Sequence, residues 1–518
     1  MKKITRFVLL MLVAAACQQQ DEIVSNVTNP SNDLVPTDQI DTFVLNTIKQ
    51  TQQPFEWKSA PDNMVWSALV QSEKVLSVGY RNDASNKTVE ENLHTININD
   101  ADWTTARNQL LTLIFEEERK TNADLKKPED LIVYQEEILP VLDVHVENFS
   151  TIQKLRQHGL VRYAEPMGYK LQIQNRATRV AGSSGCGSNN AEPGLVNGTH
   201  YTVDSPSPRN GKISWNYSYH SVQSAWGSGY SGQGVKVAII DTGSSDTQEN
   251  IVSAFNQGAS SGRTVERRVT LPRSTFLGIP TGPVETPNDG CGHGTSMAGA
   301  CAAPRGIDGN TVGIAYSCNL VVTRAAEDVF LDASREQKGV ADAFTWAGGQ
   351  SSVKIISMSM GNIFSSSQIS DAVKYAYNQG KMIFCAAGTS FDWTAGFVGV
   401  IFPASMAEAI AVTGVKDNLN TRCDACHQGS DVEFVTVMEK SDGQHPLSLA
   451  MSGDAPSTVG GSSVATASMA GMAAIVWSKY PTANRTTIYN RLKNASSNAS
   501  SRNANFGWGR VNVATALL

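Results

Sequence analysis

The chain opens on an unbroken apolar run at residues 7–16 and then turns polar as far as residue 60, where Asn, Gln, Ser, Thr and Asp dominate. That second stretch predicts a solvated tether. Strand-like apolar pattern then begins. Residues 74–80, 131–134, 141–146 and 161–165 read as strands. Asp102 stands where it can cap a helix over 103–119, with Ala106, Leu110, Leu113 and Ile114 on one face. Residues 149–158 predict a shorter amphipathic helix. The order β-α-β-β-α-β predicts a small ferredoxin-like α+β domain, which carries no function by itself. Residues 176–190 are rich in Gly and Ser and mark a boundary.

Beyond that boundary three apolar or small-residue runs each meet a reactive side chain. Residues 234–240 form a buried-type strand that ends in Asp241-Thr242-Gly243. His293 stands between Gly292 and Gly294, at the head of a small-residue run to Ala302. Gly460-Gly461-Ser462-Ser463 feeds a long, nearly all-apolar helix that Pro481 ends. Functional groups in α/β sheets sit at the carboxyl ends of strands, where Asp241 lies. Glycines let a backbone or substrate approach an imidazole closely. A Ser at a helix N-terminus faces the positive end of the dipole. Each residue also has a plain reading: a turn Asp, a structural His, an N-cap Ser. Asp241-Thr242-Gly243-Ser244 also matches how an aspartic protease presents its carboxylate. That chemistry needs two Asp sharing a proton, and the sequence has no second such motif.

Composition narrows the class. With 518 residues, 41% hydrophobic and 17% charged, the chain has the material for two to four globular domains. Collagen, coiled coil and full disorder are excluded. Forty-two basic against 48 acidic residues give a net charge of −6, so no nucleic-acid partner is indicated. Eight Cys in this length do not make a disulfide scaffold. No internal apolar run reaches the ~20 residues of a membrane helix. Lys2, Lys3 and Arg6 before the 7–16 run, and Ala14-Ala15-Ala16 after it, make an export signal. Cys17 follows at once. The arrangement resembles a lipoprotein signal with Cys17 as the lipidated first residue, although Ala14 stands where Leu is usual. An ordinary signal peptide cut after Ala16 is the alternative.

Asp241, His293 and Ser463, in that order with those flanks, resemble the subtilisin-like serine protease family. The resemblance runs from Ser224 to the end. Residues 353–361 are similar to the family's substrate-binding strand, 382–388 to its strand toward the oxyanion position, and 409–415 and 505–517 to later strands and the C-terminal signature. It implies an α/β catalytic domain with a mostly parallel sheet flanked by helices. It also implies that the βαββαβ segment is an inhibitory propeptide, with residues 161–169 as its last strand and tail. The division is then 1–16 signal, 17–60 lipidated tether, 61–175 propeptide, 176–200 processing zone and 201–518 peptidase. Substrates are proteins or peptides, the propeptide is a second partner, and the protein is an exported monomer held to a membrane by lipid.

The roles implied follow from residue type. Ser463 is the nucleophile once His293 takes its proton, and Asp241 holds His293 in the needed tautomer. The Ser463 N–H donates to the oxyanion. Ser359-Met360-Gly361 pairs with an extended substrate as an added strand. Thr389 stands where the family has an oxyanion Asn, Ala467 where Pro is usual, Ser462 where Thr is usual, and Asn362 where a second Gly is usual. Thr389 is taken as the second oxyanion donor. A catalytically weak relative that binds peptides is the competing reading.

Two further motifs need placing. Cys423-Asp-Ala-Cys426-His427 has the form of a haem attachment sequence, and also of a local disulfide. Asp308-Gly309-Asn310 begins a stretch where relatives carry a calcium loop. Oxygen ligands suit Ca²⁺, and Asp-Gly-Asn is also turn chemistry. No cofactor is needed for catalysis. Without Cys17, seven Cys leave at least one thiol unpaired.

Overall fold

The computed structural model describes residues 33–83, 88–172, 186, 189–276, 279–389, 399–424 and 426–518. The expected signal and Cys17 lie outside them, as do residues 176–185, 187 and 188 of the expected processing zone.

The N-terminal part begins with α1 (Thr37–Thr51) and α2 (Asp62–Val70). The expected ferredoxin-like unit follows: β1 (Val75–Tyr80), α3 (Ala101–Glu118), β2 (Ile132–Tyr134), β3 (Val141–His145), α4 (Phe149–Gln157) and β4 (Val161–Pro166). Its sheet has the order β2-β3-β1-β4 and is antiparallel throughout. Residues 37–60 differ from the tether expected there. Ile40, Val44 and Ile48 of α1 are fully buried, as are Phe55 and Trp57 nearly so. Apolar residues at every fourth position make a stripe one residue wide, which an overall polar composition hides. The buried Asp41 accepts from Tyr169 Oη (2.8 Å) and Gln172 N (2.8 Å). Phe55 joins Phe364 of the second domain through backbone bonds of 2.8 Å on either side.

The second domain is built on β5 (Lys236–Asp241), β6 (Val265–Val269), α5 (His293–Ala302), β7 (Asn319–Arg324), α6 (Ser334–Gly349), β8 (Val353–Met358), α7 (Ser367–Asn378), β9 (Met382–Ala386), β10 (Ile410–Lys416), β11 (Val432–Glu439), α8 (Gly461–Lys479) and α9 (Arg485–Asn494). Its seven-stranded sheet has the order β11-β10-β9-β8-β5-β7-β6, and every pairing is parallel. Helix-bearing crossovers cover such a sheet on both faces, which is why its strands are apolar runs. The order doubles back at β5: the chain first builds toward β6, then returns to β8. Asp241 ends β5 at that switch point, where crevices form in open α/β sheets. Residues 505–517, expected partly as strand, form isolated bridges, Val435 to Arg510, Ser496 to Val511 and Asn503 to Gly507, and a single helical turn, Val513–Ala516. Among the described residues no helix is long and apolar enough to cross a membrane.

The antiparallel sheet docks on α6 and α7. Glu73 accepts from Ser334 N (3.2 Å) at the start of α6, and Glu165 accepts from Ser367 N (3.0 Å) at the start of α7. Carboxylates there meet the free N–H groups and positive dipole end of each helix. Between them Arg162 grips Asp371 at 2.6 and 3.2 Å, both side chains 3% exposed. Replacing Asp371 by Ala leaves the buried guanidinium without this partner. Thermal or denaturant unfolding of the full chain should show a loss of about 3–5 kcal/mol. A loss under ~1 kcal/mol would mean that the other partners of Arg162, Glu90 and the Tyr80 carbonyl, suffice to hold that charge.

Candidate active site

Two glycines bring the end of β5 and the start of α5 together. Gly243 has φ +105°, and a Cβ there would lie 2.5 Å from Pro287 O. A Cβ on Gly294 would lie 2.2 Å from Gly243 O. With no side chain at either position, His293 Nδ1 reaches Asp241 Oδ1 at 2.7 Å, both residues buried. Asp241 Oδ1 also accepts from Thr242 N at 2.8 Å. Burial pushes the His293 imidazole down. The Asp241 carboxylate, helped by Asp289 and Asp328, outweighs that and leaves it above its ordinary value. His293 Nε2 is buried and has no hydrogen-bond partner among the described residues.

Asp289, which sequence reasoning passed over, organises this corner. It is fully buried. Oδ1 accepts from Thr242 Oγ1 (2.9 Å), Cys291 N (3.0 Å) and Gly292 N (2.7 Å), and Oδ2 accepts from Thr295 N (2.9 Å) and Oγ1 (2.7 Å). Thr242 Oγ1 in turn accepts from Gly294 N at 2.9 Å. One carboxylate thereby satisfies the orphan donors at the head of α5 and ties them to the residue after Asp241. An Asp four residues before a candidate His, ahead of a helix start, was the available signal. Cys291 is bonded to Cys186, and Asn189 Nδ2 donates to Gly292 O at 2.6 Å.

Ser463 is the third residue of α8, in the first turn, where N–H groups have no intrahelical acceptor. It is 5% exposed, and α8 packs along α5. Its Oγ donates to Ser359 O at 3.3 Å, and Ser359 Oγ donates to Ser463 O at 2.9 Å. The hydroxyl of Ser463 therefore rests on the backbone just after β8, and the imidazole of His293 keeps its outer nitrogen free.

Thr389 lies beside this helix start. Its Oγ1 accepts from Ser462 N at 2.9 Å and lies 2.8 Å from Ser462 Oγ. The hydroxyl expected as an oxyanion donor is thus engaged with the neighbour of Ser463. The Cys-x-x-Cys-His motif backs the same turn. Cys423 and Cys426 are bonded to each other, which removes the thiols a haem would need. His427 N donates to Gly388 O at 2.8 Å, and its Nδ1 lies 2.8 Å from Gly399 O. Burial pushes the His427 imidazole down to about 4, so it is neutral and structural. Among the described residues Cys301, Cys318 and Cys385 are free, buried thiols.

The expected substrate strand is already paired. Gly361 N donates to Val329 O (3.1 Å), and Gly361 O accepts from Leu331 N (3.3 Å). Met360 is buried, and Asn362 Nδ2 donates to Leu331 O at 2.8 Å. The Asp308 loop is tied by a side chain. Gln257 Nε2 donates to Asn250 Oδ1 and Asp308 Oδ2, both at 2.5 Å, and Asp308 Oδ1 accepts from Asn310 N. An N–H donor thus stands between these two oxygens. Glu249, Asp308 and Asp454 do bring carboxylate oxygens within 4.8 Å of one another, and clustering of exposed acids makes no site alone.

Comparison with known proteins agrees with this arrangement. The sequence pattern of the peptidase S8 group, described as the Subtilase family, matches residues 232–509, more than half of the chain. Subtilisin BL from Lederbergia lenta is 29% identical over 304 residues, 59% of this chain and 98% of that protein. Alkaline elastase YaB from Bacillus sp. (strain YaB) is 30% identical over 304 residues, 59% of this chain and 70% of that one. The crystal structure of fervidolysin from Fervidobacterium pennivorans, a keratinolytic enzyme related to subtilisin, has a TM-score of 0.57 at 17% identity. It covers 86% of this chain and 61% of its own, and bears on the fold alone. Since the matched region begins ahead of β5 and runs past α8, the chain belongs to the subtilase family, serine peptidases that act on proteins or peptides.

Proposed function

We propose that this chain is an exported serine endopeptidase, made as a proenzyme and held at a membrane surface through Cys17. The observation that carries the catalytic part is the buried Asp241–His293 pair, with Nε2 unpartnered, beside the helix that presents Ser463. Asp241 fixes the proton on Nδ1, so Nε2 is the basic nitrogen. Ser463 Oγ leaves Ser359 O, gives its proton to Nε2 and attacks the scissile carbonyl. The tetrahedral oxyanion accepts from Ser463 N–H at the positive end of α8. His293 then protonates the leaving amine, and water hydrolyses the acyl-enzyme by the reverse sequence. The rest arrangement, with the serine on Ser359, tightens only when substrate is bound. The antiparallel domain is the propeptide, and residues 176–200 contain the bond cut on maturation.

The deciding experiment treats the exported protein with a fluorophosphonate probe and casein. The wild type should label and digest, Ser463→Ala should do neither, and His293→Ala should lose nearly all digestion. Labelling that persists in Ser463→Ala would overturn the assignment. Loss of labelling in the processed wild type would favour the peptide-binding reading.

The pH profile has a fixed sign. A general base acts when neutral, and Asp241 holds His293 above its ordinary value of about 6.5. kcat/KM should therefore rise with pH, through a midpoint above that value, to an alkaline plateau. A maximum in the acid range would contradict the role of His293.

Thr389 is assigned here as a positioning residue for Ser462 and Ser463. Thr389→Val keeps the shape and removes the acceptor of Ser462 N–H. kcat should fall roughly tenfold with KM little changed, as expected for ~1–2 kcal/mol of lost support. Thr389→Ser should restore most of the rate. An unchanged kcat in Thr389→Val would remove Thr389 from the site.

A further inference from the structure

The extended segment nearest the nucleophile is 359–361, since Ser463 Oγ rests on Ser359 O. A peptide whose carbonyl reaches Ser463 must lie along this segment and use its backbone groups, as an added strand does. At Gly361 both groups are taken by the chain itself. Its N–H donates to Val329 O at 3.1 Å, its C=O accepts from Leu331 N at 3.3 Å, and Phe330 pairs with Gly361 in parallel. Asn362 Nδ2 holds Leu331 O at 2.8 Å. Val329 and Leu331 are buried in one apolar cluster with Met360 and with Trp57, Tyr169 and Leu171 of the N-terminal part.

The ends of this segment are fastened by two parties. Within the peptidase domain the buried Glu336 accepts from Glu327 N (3.2 Å), Asp328 N (3.3 Å) and Ala333 N (3.2 Å), and closes the loop at its base. From the N-terminal domain, Lys170 pairs with Asp332 at 3.0 Å. Glu73 accepts from Ser334 N at 3.2 Å and Ser334 Oγ at 2.5 Å, and Tyr134 Oη lies 2.8 Å from Ser334 Oγ. The strap is therefore continuous with the interface that holds the two domains together.

We propose that Val329–Leu331 is a built-in strap that occupies the substrate strand while the N-terminal domain pins its C-terminal end, and that it must swing off Gly361 to admit a peptide. The proposal rests on the peptidase reading above and adds to it a second closure, made by the peptidase domain's own backbone. Paired strands lie ~4.8 Å apart, so inserting a peptide between them requires about twice that separation. Glu336 holds Glu327, Asp328 and Ala333 to α6 and Ala325 N donates to Asp241 O at 2.8 Å, so the base of the loop stays in place and its tip, 329–331, is the part that swings. Release of the N-terminal domain removes Lys170, Glu73 and Tyr134 together, while the Gly361 backbone bonds, Asn362 Nδ2 and Gln337 Nε2 (3.5 Å) still hold Val329 and Leu331.

Hydrogen–deuterium exchange of the full chain carrying Ser463→Ala tests this without any catalysis. The amides of Gly361 and Leu331 should be protected in that protein. Adding Lys170→Ala with Glu73→Ala should make both exchange at least about tenfold faster, while amides in β5 and α8 keep their rates. If that variant does not fold, Glu73→Gln provides the milder change and should accelerate the same two amides to a smaller extent. Two results overturn the strap: loop-like exchange of Gly361 and Leu331 in the Ser463→Ala protein, or protection that no N-terminal-domain substitution alters. Because the readout is amide protection, failure of the strap and failure of the serine peptidase assignment are separate results.

Discussion

The buried carboxylate of Asp289 is the contact on which the candidate site hangs. A helix that starts inside a protein brings donors that water cannot satisfy. Five donor groups converge on this one side chain, three of them from the backbone at the head of α5. An unpaired buried charge would be costly, and here the hydrogen bonds compensate it. Because Thr242 both donates to Asp289 and accepts from Gly294, the turn after β5 and the start of α5 cannot shift independently. The short contact between Asp241 and His293 is the outcome of that rigidity, with two side-chain-free positions allowing the approach.

A similar device joins the two domains. Carboxylates of Glu73 and Glu165 sit on the starts of α6 and α7, and the Arg162–Asp371 pair lies between them. Asp143 of β3 is fully buried and accepts from Gln368 Nε2 at 2.8 Å. Burial pushes its carboxyl up to about 6. A carboxyl held above its free value by burial favours folding while it is protonated, so that contribution is lost as pH rises from the ordinary Asp range through about 6, and the bond from Gln368, which favours the ionised form, offsets part of the loss. Lys338, paired with Glu136 at 3.0 Å, opposes the effect by favouring negative charge nearby.

Asp241, His293 and Ser463 were legible as candidates because each sits where an apolar run begins or ends, and such runs are set by local burial. The ferredoxin-like unit was legible for the same reason, through its strand and helix periods. The helix at 37–51 was not, because its stripe of Ile40, Val44 and Ile48 is thin and its partners lie far along the chain. The pairing of Gly361 with Val329 and Leu331 joins segments whose proximity only the folded sheet creates. Thr389 marks the difference within one residue. Its departure from the family pattern was visible in sequence, whereas the destination of its hydroxyl depends on how closely the β9 turn meets the start of α8.

The bond between Cys186 and Cys291 closes a covalent ring with a sequence separation of 105 residues. Asp241 lies inside that ring, and His293 lies just outside it. Closing a loop of that size removes entropy from the unfolded chain worth about 4–5 kcal/mol. The ring also changes what a broken peptide bond can do. A nick anywhere between the two cysteines opens the ring without dividing the molecule, so the segment ahead of the peptidase domain stays attached two residues from His293. A nick inside the ring lets the two ends part when a reductant is present as well, whereas a cut ahead of Cys186 frees the preceding segment without one.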